Sequence, residues 1–259
     1  MLRTNFLKSK IEKGEAVLGT WSVIPSSVTT DIISAAGLDF IIIDAEHGPI
    51  SFETAQDMVM ACESRGVSPV MRVGGIIESD ILKALDIGVH CIQIPNVSCA
   101  DEVREIVLLA KFPPAGERGF SPFTRAGGYS AANAKTLPSE ANKNVLIAVN
   151  LESEEAILDI ESILEVNELD IIFIGLYDLS KALGIPGDVT NPKITKHLEI
   201  LSAKINDSGK VMGTIATSKD AMSKMMDMGL RYIVYMVDCE VIRAAYSDIK
   251  EAFDAKRNG

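Results

Sequence analysis

Short apolar runs alternate along the chain with longer segments in which apolar residues recur at helical spacing. Runs of β-branched and aliphatic residues predict strands that are buried on both faces, and the longer segments predict amphipathic helices. This alternation is typical of a parallel sheet built from βα units. We count eight units, with strands predicted at residues 16–23, 38–44, 68–72, 89–95, 145–150, 170–175, 210–214 and 231–237.

The helical segments follow the strands in order, and several end in a glycine that can supply a left-handed C-terminal cap. Eight units favour a closed (β/α)₈ TIM barrel, a single α/β domain over residues 1–259, rather than an open doubly wound sheet, which more often stops at five or six strands. The helices are predicted at 27–36, 52–65, 78–88, 100–111, 153–166, 191–208, 218–229 and 239–253, and the capping glycines are Gly37, Gly66, Gly88, Gly209 and Gly229.

Two connections are longer than the others. Residues 112–144 contain the sequence PPAGERGFSPFTRAGGYS and are predicted to form a long loop insertion, and residues 176–191 contain a second excursion, LYDLSKALGIPGDVTN. Long loops in a compact domain are usually lids, binding loops or interfaces.

Composition limits the classes of partner. The 259 residues are 47% hydrophobic and carry a formal net charge of −11, so we expect neither a nucleic acid nor a membrane as partner. No stretch is apolar for long enough to span a bilayer, and the charged N-terminus does not resemble a signal peptide. The four cysteines form no C-x-x-C pair, which argues against a zinc site or a disulfide framework and is typical of reduced thiols in a cytoplasmic protein.

Unusual polar residues collect where the predicted strands end. Catalytic residues of TIM barrels lie at this C-terminal face of the strands, so the sequence predicts one site built from several strands. The residues concerned are Trp21, the stretch Asp44 to His47, Arg72, Asn150, Glu152 and Asp178.

Glu152 and Asp178 follow successive strands and are therefore expected to be neighbours around the barrel rim. Two close carboxylates repel each other unless a cation lies between them, and oxygen ligands suit a hard divalent ion better than zinc. We predict magnesium or manganese, with cobalt as a further candidate. The structural alternative is that both are acids near helix starts, where the helix dipole favours them.

The stretch FIIIDAEHGP places an acid and an imidazole directly after a buried strand. Asp44 could hold the His47 ring in one tautomer, so that His47 exchanges a proton with the substrate, while Glu46 is expected to face the other side. Arg72 could grip a carboxylate or stabilise an oxyanion; the alternative is a salt bridge to Asp44 or Glu46.

An absence bears on the type of chemistry. A Schiff-base enzyme needs a lysine near the catalytic end of a strand, and none of the eight predicted strands has one there. Lys210 lies at the opposite end of its strand. Metal-assisted enolisation is therefore favoured over imine chemistry.

The motifs GTWSV, AGLDFIIIDAEHGP, SPVMRV, LDIGVHCIQIPNV, GERGFSPFTRAGGYS and FIGLYDLSKALG occur in this order over nearly the whole chain. The chain thereby resembles the HpcH/HpaI family of class II, metal-dependent pyruvate aldolases, the 2,4-dihydroxyhept-2-ene-1,7-dioate aldolase group. The resemblance implies a lyase that forms or cleaves 4-hydroxy-2-oxo acids from a 2-oxo acid and an aldehyde. It also implies a homo-oligomer, usually a hexamer, in which the last helix packs on a neighbouring subunit.

The resemblance also implies residue roles. Glu152 and Asp178 would hold the metal, His47 oriented by Asp44 would be the general base, and Arg72 would stabilise the enolate oxygen. Substrate-binding positions carried over with them are Trp21, Arg72, Asn150, Gly175 and Asp86, the last toward a neighbouring subunit's site.

Two positions depart from the family pattern: Asn150 stands where Gln is frequent, and Leu176 where Pro is expected. The alternative function is condensation of oxaloacetate with acetyl-CoA, an acyl-CoA substrate, as in the citrate synthase of staphyloferrin B biosynthesis. A third reading, an assembly or regulatory barrel without catalysis, is disfavoured because Asp44, His47, Arg72, Glu152 and Asp178 occur together.

Overall fold

The computed structural model describes residues 4–258, except for the side chains of Asp178 and Ala182. Eight parallel strands hydrogen-bond in chain order, and the first pairs with the last to close a barrel. This confirms the predicted fold class. The strands are β1 (Val17–Ser22), β2 (Phe40–Asp44), β3 (Ser68–Arg72), β4 (Cys91–Val97), β5 (Leu146–Leu151), β6 (Ile171–Ile174), β7 (Val211–Ala216) and β8 (Tyr232–Val237).

Helices surround the barrel and follow the strands. The five predicted capping glycines all have positive φ, between 74° and 90°, as a left-handed helix end requires. The helices are α1 (Phe6–Glu12), α2 (Ser27–Ala35), α3 (Phe52–Ser64), α4 (Glu78–Asp86), α5 (Ala100–Ala110), α6 (Leu137–Asn144), α7 (Glu154–Leu158), α8 (Ile160–Leu164), α9 (Leu176–Ala182), α10 (Pro192–Asp207), α11 (Lys219–Asp227) and α12 (Asp238–Asn258).

Several elements differ from the sequence prediction. The segment predicted as a loop at 112–144 ends in α6, and the second excursion begins with α9. The predicted helix at 153–166 is divided at Asp159, whose carboxylate accepts a hydrogen bond from the backbone N–H of Ala100. In the part of the chain that the structure describes, no helix combines the length and apolarity needed to cross a membrane.

The strand residues divide into two cores because successive side chains point to opposite faces. One set, including Ile43, Met71, Ile92 and Ile172, packs outward against the helices. The other set fills the barrel interior. Polar residues that share the interior register with this second set are therefore directed toward the barrel axis.

Aromatic rings fill the middle of the barrel. The rings of Phe40 and Tyr232 stack with centroids 4.2 Å apart, and the edge of Phe173 meets Tyr232 at 6.4 Å. Two glycines leave room for these rings: a Cβ at Gly19 would lie 2.4 Å from the Phe40 ring, and one at Gly213 would lie 2.4 Å from the carbonyl oxygen of Tyr232. The barrel interior is thus tightly packed around a fixed aromatic column.

Helix α1 closes the N-terminal end of the barrel, opposite the candidate site. Leu7 is fully buried against the interior cluster, and its backbone N–H donates to Ser68 Oγ at 2.8 Å. The Asn5 amide donates to the carbonyl oxygens of His90 and Asn144 at 2.8 and 2.7 Å. These contacts leave the C-terminal end of the strands as the accessible end.

The close contact at Gly213 generates a stability prediction. Gly213→Ala should lower the free energy of unfolding by about 1–3 kcal/mol, because the new methyl group meets backbone that cannot rotate away. Chemical denaturation would measure this loss. Gly119→Ala is the matched control, since its Cβ would find only ordinary contacts with Leu82; equal losses in the two variants would contradict the interpretation.

Candidate functional site

Strand alternation directs most of the predicted site residues into one end of the barrel. Trp21, Asp44, Arg72 and Asn150 lie at the C-terminal ends of β1, β2, β3 and β5, and all four are buried. Asp44 and Arg72 are directly paired in the parallel register of β2 and β3. The sequence prediction that these residues share one face of the barrel agrees with this placement.

Arg72 is held on several sides. Its Nε and Nη2 donate to the two carboxylate oxygens of Asp44 at 2.8 and 2.6 Å, and its Nη1 lies 2.8 Å from Glu46 Oε2. The guanidinium carbon lies 4.1 Å from the centroid of the Trp21 ring, a cation–π contact. The salt bridge considered as the structural alternative for Arg72 is therefore present. It fixes the guanidinium without excluding a role in binding.

The sequence prediction that Glu46 faces the other side is wrong. In the structure its side chain faces the site. Its Oε2 faces Arg72, and its Oε1 accepts a hydrogen bond of 3.3 Å from the side-chain amide of Asn96. Asn96 lies within a break in the register between β4 and β5 and has φ of 56°, a left-handed conformation that asparagine tolerates better than most residues. This irregularity places the Asn96 side chain beside Glu46.

His47 lies at the rim, with its side chain 72% exposed and its Nε2 4.0 Å from Glu46 Oε2. The Asp44 carboxylate accepts hydrogen bonds from the backbone N–H groups of Glu46 and His47, at 3.1 and 3.4 Å. Its main side-chain partner is Arg72. The prediction that Asp44 orients the His47 ring is therefore corrected. Glu46 is the carboxylate near the ring, because the turn after β2 brings it back over Arg72.

Glu152 follows β5 and lies beside Gly175 at the end of β6. A Cβ at Gly175 would approach Glu152 Cγ to 2.8 Å, so the glycine leaves the space that the Glu152 side chain occupies. Glu152 Oε1 accepts a hydrogen bond of 3.0 Å from the Asn150 amide. Gly175 and Asn150, both predicted to bind substrate, thus lie in contact with the predicted metal ligand.

Asp178, the second predicted metal ligand, lies in the first turn of α9, directly after β6 and Gly175. Its side chain falls outside the described residues, so its distance from Glu152 stays a prediction. Among the side chains that are described, no three or more histidines, cysteines or acids gather in a metal-binding group. A site formed by two carboxylates and water would not require such a group.

A polar pocket of ≈ 550 Å³ opens beside Glu152 at the ends of β4 and β5. Asn96 lines it and also contacts Glu46, so the pocket adjoins the Arg72 group. Its described lining carries more negative than positive charge, because Lys181 is outnumbered by acids. The residues around it are Asn96, Val97, Ser98, Glu152, Ser153, Glu154, Glu155 and Lys181.

Asp86 lies away from this group. It ends α4, before β4, and therefore lies toward the N-terminal end of the barrel, where its carboxylate accepts a hydrogen bond of 2.8 Å from Arg118 Nη2. The cavity there measures only ≈ 40 Å³, too small for a substrate. Asp86 does not join the other predicted residues within one chain, and its predicted role toward a neighbouring subunit stays a prediction.

The lysines lie outside the strands, as the sequence indicates. None of the strands β1 to β8 contains a lysine. Lys210, just before β7, donates to the carbonyl oxygens of Val166 and Leu169 at 2.7 and 3.0 Å, and burial lowers its pKa. Its position at the N-terminal end gives it a structural role away from the substrate.

Sequence reasoning missed Gln93, Asn96 and Tyr232. Gln93 is a fully buried amide in an apolar strand, and it contacts both Asn150 and Tyr232. The available signal was the position of Gln93 in CIQIPNV, where alternation gives it the same register as the interior residues. Asn96 gave no signal, since its orientation depends on the irregularity after Ile94.

Comparisons with known proteins identify relatives along the whole chain. The sequence profile described as HpcH/HpaI aldolase/citrate lyase matches residues 18–245. The chain is 29% identical over 259 residues to a 2-keto-3-deoxy-L-rhamnonate aldolase of Escherichia coli O17:K52:H18 (strain UMN026 / ExPEC), with 100% of this chain and 96% of the relative covered. It is 31% identical over 240 residues to a hydroxypyruvate/pyruvate aldolase of Roseobacter denitrificans (strain ATCC 33942 / OCh 114), with 92% and 93% covered.

A solved structure extends the comparison. The crystal structure of the citrate synthase SbnG is similar, with a TM-score of 0.88 and 28% identity, covering 99% of this chain and 100% of that chain. Both aldolases and a citrate synthase are therefore similar to this chain over almost their full lengths.

The buried ion pair generates a second stability prediction. Asp44→Ala should lower the free energy of unfolding by about 3–5 kcal/mol, because it leaves a buried guanidinium without its main partner. Adding Arg72→Met should restore part of this loss, since the unpaired charge is then removed. Urea denaturation would measure both variants.

The control is Asp31→Ala, which removes a similar two-bond contact with Arg65 at the surface and should change stability little. A double variant no more stable than Asp44→Ala would show that the burial of the guanidinium is not the source of the cost.

Proposed function

Because the chain belongs to the HpcH/HpaI aldolase/citrate lyase family, we propose that it is a divalent-metal-dependent aldolase, a carbon–carbon lyase. The substrates would be 4-hydroxy-2-oxo acids, cleaved to or formed from a pyruvate-type 2-oxo acid and an aldehyde. The names of the relatives, a 2-keto-3-deoxy-L-rhamnonate aldolase and a hydroxypyruvate/pyruvate aldolase, support this class.

The observation that carries the proposal is the fixed guanidinium of Arg72. Asp44 accepts hydrogen bonds from two of its five N–H groups, Glu46 Oε2 lies 2.8 Å from Nη1 as an ion pair, and the Trp21 ring covers one face. Among the described residues, only Asp44 accepts hydrogen bonds from this side chain, so N–H groups on Nη1 and Nη2 remain for an oxygen of the substrate. Donors that are fixed before the reaction stabilise a developing negative charge without a cost of reorganisation.

The proposed reaction needs a proton carrier and a stabilised oxygen. In the cleavage direction a base takes the proton of the hydroxyl at C4, the C3–C4 bond breaks, and its electron pair forms the enolate, which takes up a proton at C3 to give the 2-oxo acid. In the synthetic direction a base removes a C3 proton to form the enolate, the enolate attacks the aldehyde carbon, and a proton goes to the new hydroxyl oxygen. His47, exposed at the rim and next to Glu46, is the proposed carrier, and Arg72 would donate to the enolate oxygen.

The residues present fit a hard divalent cation. Asp44 and Glu46 together outweigh Arg72 in charge, and acids outnumber Lys181 around the pocket, so an anionic 2-oxo acid would be repelled without a further positive charge. We assign Glu152 and Asp178 as the protein ligands and magnesium or manganese as the ion, with cobalt as a further candidate. The bound ion would supply positive charge that draws electrons toward the keto oxygen.

A second candidate function is the condensation of oxaloacetate with acetyl-CoA. The similarity to the citrate synthase SbnG over almost the whole of both chains favours it. It would use the same enolate-stabilising groups with an acyl-CoA partner. The aldolase has more support, since both relatives reported above from the sequence comparison are aldolases.

An oligomer in which α12 packs on a neighbouring subunit, a hexamer by the family resemblance, is also part of the proposal. Within the described chain, α12 presents an exposed apolar stripe at helical spacing, formed by Ile242, Tyr246, Ile249 and Phe253. An apolar stripe of this kind is favoured where it is covered by a partner. Asp86, at the other end of the barrel, would then approach a neighbouring site.

Proton exchange tests the aldolase directly. With pyruvate and Mg²⁺ in D₂O, the methyl protons should exchange, and the exchange should stop on addition of EDTA. Glu152→Gln and His47→Asn should slow it at least about 100-fold, because they remove a metal ligand and the proton carrier. Proton NMR would follow the methyl signal over time.

His197→Asn is the control for this experiment, since the half-buried His197 contacts the Lys193 carbonyl oxygen within α10 and its replacement should leave the rate unchanged. Exchange that persists in EDTA would contradict the metal dependence. Absence of exchange, together with release of CoA from oxaloacetate and acetyl-CoA, would favour the citrate-synthase-like function instead.

The assembly has its own test. Ile249→Lys combined with Phe253→Lys should reduce the mass measured by light scattering after gel filtration, because charges on the apolar stripe of α12 prevent its burial. Ile200→Lys is the matched control, an exposed apolar residue on α10 that lies outside the stripe. A wild-type chain that runs as a monomer would contradict the proposed oligomer.

A further inference from the structure

A line of buried polar side chains crosses the barrel interior and ends at Glu152. The Tyr232 hydroxyl donates to Gln93 Oε1 at 3.3 Å, Gln93 Nε2 donates to Asn150 Oδ1 at 2.7 Å, and Asn150 Nδ2 donates to Glu152 Oε1 at 3.0 Å. Tyr232 and Gln93 are fully buried, and Asn150 is 1% exposed. The three bonds connect β8, β4 and β5 with the predicted metal ligand.

The direction of these bonds follows from the chemistry of the groups. A carboxylate only accepts hydrogen bonds, so Asn150 must turn its NH₂ group toward Glu152 and its carbonyl oxygen toward Gln93. Gln93 must then present its NH₂ group to Asn150 and its carbonyl oxygen to Tyr232. The phenol therefore has to donate, and every donor in the line faces the Glu152 side.

The far end of the line is rigid. The Tyr232 ring stacks on Phe40 and meets the edge of Phe173, and Gly213 leaves no free space beside it. Burial raises the pKa of the Tyr232 phenol well above its usual range, so it keeps its hydrogen as a donor. Because a fixed donor lies at one end and a carboxylate at the other, the side-chain amides of Gln93 and Asn150 can each adopt only one orientation of their oxygen and NH₂ group.

We propose that Gln93 and Tyr232 are positioning residues that act through Asn150 to hold the Glu152 carboxylate in the orientation needed to bind a divalent cation. The inference rests on the proposed function of Glu152. It adds that a residue remote from the substrate, the phenol of Tyr232, contributes to cation affinity. Groups that hydrogen-bond to a metal ligand orient it and commonly change metal affinity when they are removed.

A satisfied core network explains the same bonds less fully. If position 93 served only to fill the barrel interior, an apolar side chain would be sufficient there. Its neighbours in the strand, Cys91, Ile92 and Ile94, are all apolar. Burying an amide costs free energy unless it is fully hydrogen-bonded. Gln93 contacts Asn150 toward the candidate site and Tyr232 away from it. In this arrangement the fixed Tyr232 hydroxyl can orient Gln93, and Gln93 can orient Asn150.

Cation binding provides a readout that does not depend on turnover. Titration of the full chain with Mn²⁺, followed by electron paramagnetic resonance of the free ion, should give a dissociation constant about 10-fold weaker for Gln93→Met. Methionine keeps the length of the side chain and removes both hydrogen bonds. Tyr232→Phe, which removes only the hydroxyl, should weaken binding about 3-fold.

Thr30→Val is the matched control, because it removes a buried hydroxyl that donates to the carbonyl oxygen of Ser26 at the start of α2, away from the line. It should leave Mn²⁺ affinity unchanged. If it weakens binding as much as Gln93→Met does, general destabilisation explains the loss and the inference is overturned.

A double variant tests the route. If Gln93 orients Glu152 through Asn150, Gln93→Met should weaken Mn²⁺ binding no further in a chain that already carries Asn150→Ala. If the two residues act independently, their losses in affinity should multiply. Wild-type affinity in Gln93→Met, or multiplying losses, overturns the inference while leaving the proposed function intact. Failure of the wild-type chain to bind Mn²⁺, or unchanged binding in Glu152→Gln, overturns the proposed function and this inference with it.

Discussion

The ion pair between Arg72 and Asp44 is the interaction on which the candidate site depends. It exists because β2 and β3 are parallel neighbours in a register that places these two residues side by side at the open end of the barrel. Burying a guanidinium is unfavourable unless carboxylates and a ring face surround it, as Asp44, Glu46 and Trp21 do here. The same partners that make the burial tolerable also fix the donors that remain for a substrate.

The different contacts of Asp44 and Glu46 follow from this ion pair. Asp44 ends the strand, so its carboxylate is committed to Arg72 and to the backbone of the turn. Glu46 lies two residues later, where the turn returns over the guanidinium and places the same oxygen, Oε2, 2.8 Å from Arg72 Nη1 and 4.0 Å from His47 Nε2. An imidazole at an exposed rim can exchange its proton with water, which suits a carrier better than a buried position would.

The sequence predicts the barrel because buried parallel strands require apolar runs and the helices require a different period, so each element is readable locally. Trp21, Asp44, Arg72 and Asn150 are also predictable, since strand ends converge in a barrel. The orientation of Glu46 could not be predicted from the sequence, because it depends on the turn around Gly48. A Cβ at Gly48 would lie 2.4 Å from the carbonyl oxygen of Asp44. Helix α1 and the bonds of Gln93 likewise depend on contacts between distant residues.

Asn150 shows why a departure from the family pattern needs to be interpreted together with its neighbours. The family resemblance leads us to expect Gln at position 150; Asn150 is shorter by one methylene, and its amide still reaches Glu152 at 3.0 Å. Its carbonyl oxygen is buried and would lack a partner if β4 were apolar throughout, and Gln93 supplies that partner at 2.7 Å. Since an unsatisfied buried amide costs about 1–3 kcal/mol, the two residues are energetically coupled. The Asn150 amide and the buried Gln93 therefore form one feature of the site.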